Sequence, residues 1–322
     1  MGLGASLTYL ARSYSPFIIT RVFIGIGFGL CMPVSGSIIM TLFQERERPY
    51  LNTVNSLLPY IATAITFSLT PSLYLVFAEN WRLPITTFGL GLIIIAAFWS
   101  LSGRNVTKED PAEHIAHEKL LFTVIRNREV ILLSIAEACD MWAFQFLTSY
   151  LPTYYTQEVG LGLATSAKLT SIFPVAGIIA GLLCGIWMSK VGLRKPFTWP
   201  LHLSIFAGTY LAVNGTGFVR VLGISLAGFG NAGWAPALFT MPMEFGEMTP
   251  AKVGTIYSIM FSLGFFAAFL SPLIGGYIAQ QIGLHRTIFY FSFSSVIAAL
   301  ATFLMKETGS ANRKISEGFS NG

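Results

Sequence analysis

The chain has 322 residues, of which 53% are apolar and only 11% charged, and its formal net charge is +5. Soluble domains carry about 25% charged residues, so this composition fits a soluble enzyme, a nucleic-acid binder or a disordered chain poorly. It fits an all-α, multi-span membrane protein: a span takes about 20 apolar residues, and lipid offers no partner for backbone N–H and C=O groups outside a helix.

The first apolar run, 1–11, rises only about 16 Å at 1.5 Å per residue, half a bilayer. Runs at 16–43, 50–77 and 83–102 follow. The stretch 103–128 is polar and carries His114 and His117, an HxxH spacing that reads as a solvated loop pair rather than a metal site. Six more runs come after it, at 129–152, 164–188, 197–213, 218–243, 253–280 and 286–305, then a short polar tail. An even number of runs puts both ends on one side. With the C-terminus in the cytoplasm, 14 Lys and Arg fall inside and 5 outside, and Arg21 lies within a span. That bias places a multi-pass protein in the cell membrane with a cytoplasmic C-terminus. Cys31, Cys139 and Cys184 sit in apolar runs without CxxC spacing and read as small buried hydrophobes. The absence of a phosphate-binding loop argues against ATP-driven pumping, and the chain carries no cofactor motif.

The two parts on either side of 103–128 share a pattern. Gly25-x-Gly27 and Pro33 recur 203 residues later as Gly228-x-Gly230 and Pro236. Pro49 and Pro250 are offset by 201, and Arg82 and Arg286 by 204. Matches in one order read as a parallel repeat, an architecture of transporters. The second part is longer than the first, and aligning them predicts a twelve-span protein short of its first two and a half helices, about 75 residues.

Three local motifs add to the repeat. They are Arg21-Val-Phe-Ile-Gly25-Ile-Gly27-Phe-Gly29, Gly185-Ile-Trp-Met-Ser-Lys190-Val-Gly192-Leu-Arg194-Lys195, and Lys306-Glu307-Thr308-Gly309. On these the chain resembles the major facilitator superfamily over essentially its whole length, with Ser189 and Leu193 standing where the second motif usually has an acid and an arginine. It is loosely similar to the cyanate-permease and organic-anion branches. Gly230-Asn231-Ala232-Gly233 is also similar to a nitrate-porter signature, in a helix where that signature is not expected. The resemblance implies a two-bundle fold: a partial N-terminal bundle at 1–103 (family helices three to six), a cytoplasmic linker at 104–128, a six-helix C-terminal bundle at 129–306 and a cytoplasmic tail at 307–322. It implies a monomeric secondary transporter, not an enzyme, moving a small polar solute, an organic anion among the candidates, by alternating access with proton coupling. The alternative is a truncated, non-transporting remnant or scaffold of the same fold.

Family helices four, seven and ten face the transport cavity, which points to the runs beginning near 16, 129 and 218. Ionisable groups within spans are costly and default to function. Arg21 shares a helical face with Gly25, Phe28 and Met32 and suits an anion contact or a cation acting on a carboxylate; a snorkelling arginine is the plain reading. Glu137 and Asp140, at i and i+3, share a face with Met141, Phe144 and Thr148. Two ionised neighbours in low dielectric repel, and binding one proton relieves them, which is what a proton-coupled carrier needs; a salt bridge to Arg21 or capping of local polar groups is the plain reading, and two acids without a third ligand speak only weakly for a metal site. Gln145, Asn231 and Trp234 could orient a small polar substrate or simply bond between helices. Tyr60, Asn55 and His202 read as structural polar residues, and Gly177, Gly181 and Gly185 as a face for close helix approach.

Overall fold

A computed structural model describes residues 1–102 and 117–311. The HxxH residue His114 and the tail beyond residue 311 lie outside the described residues, as does most of the 104–128 segment. Among the described residues every regular element is helical: α1 (Gly2–Ser6), α2 (Tyr14–Leu42), α3 (Arg48–Val76), α4 (Arg82–Ser102), α5 (His117–Ile125), α6 (Arg128–Gln157), α7 (Leu163–Val191), α8 (Trp199–Asn214), α9 (Gly217–Gly233), α10 (Ala235–Glu244), α11 (Pro250–Ile282) and α12 (Leu284–Leu304).

Among the described residues seven helical stretches are long and apolar enough to cross a membrane: Tyr14–Leu42, Arg82–Leu101, Arg128–Gln157, Thr165–Val191, Gly217–Glu244, Pro250–Ile282 and Leu284–Leu304. Three of the ten apolar runs fall outside that set. α1 has 5 residues and α8 has 16, below the ~20 of a full span. α3 is 29 residues long but carries Asn52, Thr53, Asn55 and Ser56 in its first half. The run at 218–243 is divided at Trp234, because Pro236 has no N–H to give and its ring crowds the carbonyl four residues back. α2 passes Pro33, the repeat partner of Pro236, without interruption.

The chain forms two compact units, Met1–Ser35 with Ile65–Leu121, and Gly36–Ala64 with Phe122–Gly322. In the first, α1 lies against α4 at Gly89, where any Cβ would collide with the Ser6 backbone. Arg82 Nε donates to the Ala11 carbonyl over 2.9 Å, and Phe17 meets Trp81 edge-on at 5.6 Å.

In the second unit α6 packs against α7, α11 and α12, and α9 packs against α7 and α8. Asn127 caps α6 by accepting from Glu129 N–H over 2.9 Å. Acidic side chains at each end of α6 bind α12. The Glu158 carboxylate accepts from Leu284 and His285 N–H at 2.5 and 3.1 Å, meeting the orphan donors of the α12 N-terminus. Glu129 accepts from Lys306 N–H at 3.0 Å. Phe146, Tyr155, Phe173, Ile224, Ile288 and Phe291 form the core between these helices.

Large apolar side chains stay on the outside, including Phe218, Phe266, Phe269 and Tyr277. Such a surface is untenable in water and is what a bilayer solvates. Of the three cysteines only Cys184 is buried; Cys139 is half-buried and Cys31 exposed. The expectation of buried thiols therefore holds for one position, because an apolar residue on a lipid-facing helix needs no protein around it.

Candidate functional site

Glu137 and Asp140 stand mid-helix on α6, each 1% exposed. Asn231 of α9 donates from Nδ2 to Asp140 Oδ2 over 2.9 Å. The amide oxygen of Asn231 accepts from the Tyr60 hydroxyl of α3 over 2.7 Å. Asp140 Oδ1 has no hydrogen-bond partner. It faces His202 Nδ1 of α8 at 3.7 Å, beyond hydrogen-bond length. His202 is wholly buried, and neither of its ring nitrogens has a partner. Its ring lies 4.3 Å from that of Trp234, whose indole reaches the same carboxylate. Glu137 lies within electrostatic range of Asp140 but turns to α11, where a Cβ on Gly264 would stand 3.0 Å from Glu137 Cγ. Glu137 Oε2 also lacks a partner.

The glycine face of α7 explains how Tyr60 gets there. A Cβ at Gly185 would strike Thr53, one at Gly181 would lie 2.7 Å from Leu57, and one at Gly177 would meet the Tyr60 ring at 3.3 Å. Three missing side chains on α7 thus admit three consecutive contact positions of α3, and the last of them carries the hydroxyl that orients Asn231.

Of the residues singled out in the sequence, Glu137, Asp140, Asn231 and Trp234 come together. Gln145 does not join them; its Nε2 donates to Ser149 Oγ one turn along α6 at 3.3 Å. Arg21 belongs to the first unit, where Nη2 donates to Thr8 Oγ1 over 3.2 Å, the guanidinium covers the Phe17 ring at 4.4 Å, and Nε has no partner. His202 and Tyr60 are the members that sequence reasoning read as structural. The signal for His202 was available: it is an ionisable side chain in an apolar run, as Glu137 and Asp140 are.

A second ionic cluster lies where two of the quoted motifs meet. Arg194, 2% exposed, donates from Nε and Nη2 to both oxygens of Glu244 at 3.0 and 2.6 Å, and from Nη1 to the Met188 carbonyl at 2.9 Å. Thr308 Oγ1 adds a bond to Glu244 at 2.9 Å. Glu307 accepts from the backbone N–H groups of Arg194, Lys195 and Gly309 at 2.8, 2.9 and 2.9 Å. Gly192 ends α7 with φ +69°, and Gly309 approaches its carbonyl so closely that no Cβ would fit. A cavity of about 570 Å³, lined by Glu45, Arg46, Arg48, Arg194 and Glu244 among others, opens beside this cluster and not at Asp140.

Helices with apolar outer faces and carboxylates buried in mid-helix define a multi-span membrane protein that keeps ionisable groups inside its bundle. The sequence profile of the Major Facilitator Superfamily matches residues 1–272, and the chain belongs to that family. It is similar to the probable galactarate/D-glucarate transporter GudP of Bacillus subtilis (strain 168), with 22% identity over 88% of this chain and 69% of that one. It is also similar to the ectoine/proline transporter ProP of Corynebacterium glutamicum, with 28% identity over 71% of this chain and 49% of that one. Among solved structures, the E. coli fucose:proton symporter FucP has the same fold, with a TM-score of 0.69 and 15% identity over 94% of this chain and 80% of that one.

Proposed function

We propose that the chain acts in secondary active transport of a small polar solute, organic acids foremost, by alternating access and with proton coupling. The carrying observation is the half-paired Asp140: one oxygen is fixed by Asn231, while the other is buried without a partner, and Glu137 Oε2 on the same helix also has none. A carrier that binds and releases a proton needs a carboxylate with an oxygen open to it, and an unpartnered buried oxygen is such a place. Glu137 and Asp140 are the proton-coupling residues in this reading. Asn231 and Trp234 orient the solute, Arg21 meets its anionic group, and Gln145 has a lesser binding role. The names of GudP and ProP support carboxylate-bearing solutes as the class to try first.

The reading places the chain in the cell membrane with its C-terminus cytoplasmic, from the 14-to-5 distribution of Lys and Arg. It assigns 1–103 and 129–306 as the two helical bundles, 104–128 as the linker and 307–322 as the tail, and works as a monomer. The test is uptake of galactarate, D-glucarate, proline and ectoine into proteoliposomes, with and without an inward proton gradient. Gradient-dependent accumulation of one of them is expected. Equal uptake with and without the gradient, or pH-driven uptake left intact in both Glu137→Gln and Asp140→Asn, overturns the coupling assignment.

A further inference from the structure

Asp140 is held unevenly. Asn231 donates to Oδ2, and the far end of the same amide accepts from the Tyr60 hydroxyl. Oδ2 is thus already engaged, while Oδ1 is the open oxygen for a proton and faces His202 Nδ1. His202 is 0% exposed and has nothing on either ring nitrogen. Buried polar groups are almost always paired, and an imidazole with both nitrogens left bare beside an unpartnered carboxyl oxygen calls for a use.

The surroundings supply few competitors. α6 presents Glu137 and Asp140, α3 presents Tyr60, and α7 presents Cys184, which stands near Gly233. α9 carries Arg220, over the Tyr155 ring, and Asn231 on Oδ2, and at its end the Trp234 ring lies 4.3 Å from that of His202 and reaches the same carboxylate. α12 carries His285 and Arg286 in its first turn and Tyr290 on its exposed side, and the buried polar groups along its length are Thr287, Ser292, Ser295 and Thr302. Lys195, in the short turn before α8, covers the Phe303 ring. Among the described residues, His202 and Asp140 are thus the histidine and carboxylate that confront each other here.

We propose that His202 relays the transported proton from Asp140. The proton on Oδ1 passes to Nδ1 as the proton on Nε2 leaves to water, once the site opens to one side of the membrane. One O–H bond and one N–H bond break, one N–H bond forms, and water takes the released proton. The ring ends neutral, with Nδ1–H donating to the carboxylate. A small side-chain shift closes the 3.7 Å gap, and such contacts tighten in working complexes. This relay rests on the proton-coupled reading above, and its test separates the two.

The experiment uses the full chain in proteoliposomes carrying an internal pH dye. It compares proton-driven accumulation with gradient-free solute exchange for the unsubstituted protein and for His202→Gln, His202→Asn and Asp140→Asn. Glutamine and asparagine keep a polar contact with Oδ1 but relay no proton. Expected for both histidine variants is a proton-release rate lowered by about 100-fold, with exchange retained. Unchanged proton release and an unchanged pH profile in the histidine variants, while Asp140→Asn abolishes coupling, overturns the relay and leaves the proton-coupled reading standing. Coupling intact in Asp140→Asn and Glu137→Gln sinks that reading itself. Should the histidine variants not reach the membrane, ring-15N histidine resonances of the unsubstituted protein decide the matter. The exchange-protected imidazole should move its proton from one ring nitrogen to the other between high and low pH, and a tautomer fixed at both ends overturns the relay.

Discussion

The second unit buries two groups of ionisable side chains, and they are treated in opposite ways. Around Arg194 the guanidinium bonds through Nε, Nη1 and Nη2, and the Glu244 and Glu307 carboxylates are met by side-chain and backbone donors. Around Asp140 one carboxyl oxygen is fixed, while its twin, Glu137 Oε2 and both nitrogens of His202 are bare. A saturated ionic cluster holds geometry: it ties the end of α7 to the segment after α12, and it loses heavily if one member is removed. An unsaturated one is costly as it stands and persists where protons or ligands come and go. The two clusters thus differ in hydrogen-bond supply, which is the ground for reading one as a fastening and proposing the other as a working site.

Substitutions can break or sharpen that contrast. The largest effect is expected from Asp140→Asn, with complete loss of proton-driven accumulation in proteoliposomes and retained solute exchange. Normal accumulation would remove Asp140 from the working site. Arg194→Met should lower thermal stability by about 2–3 kcal/mol, because half-buried Glu244 loses both charge-assisted bonds to the guanidinium. A melting curve in detergent measures this, and Glu137→Gln serves as the opposite arm, with stability unchanged or raised. If Arg194→Met melts normally, the cluster is not a fastening. Gly228→Ala brings a methyl into the Phe173 carbonyl where α7 and α9 touch, and should cost about 1–3 kcal/mol in the same assay. Gln145→Ala, which gives up one bond to Ser149 along its own helix, should change stability by no more than about 0.5 kcal/mol. A large loss of uptake there would restore Gln145 to the site.

Much of this was legible in the chain itself. Apolar runs located α2, α4, α6, α7, α11 and α12, with ends displaced by up to five residues, because lipid forces a long apolar segment to satisfy its backbone as a helix. Where polarity or length fell short, as in α3 and α8, the reading counted full spans that fall outside the seven apolar stretches. The interruption at Trp234 depended on Pro236, whose counterpart Pro33 sits in an unbroken helix. The same proline therefore carried no fixed outcome. Glu137, Asp140, Asn231 and Trp234 were found because polar atoms in an apolar run are expensive and few. Gln145, on the same helix as the carboxylates, points its amide to its own helix, which spacing along one helix could not reveal.

By itself the sequence determined the medium, the helices, the family and the two carboxylates, since each follows from the cost of polar groups in lipid, or from motifs written in consecutive residues. The tertiary structure decided which polar groups meet. Tyr60 reaches Asn231 only because three glycines on α7 let α3 come close, and His202 meets Asp140 only because α8 and α6 place them side by side. Those residues are separated by 171 and 62 positions in the chain. Hydrogen bonds act over about 3 Å, so whether a buried group is paired or bare is settled by packing and not by the chain's local chemistry.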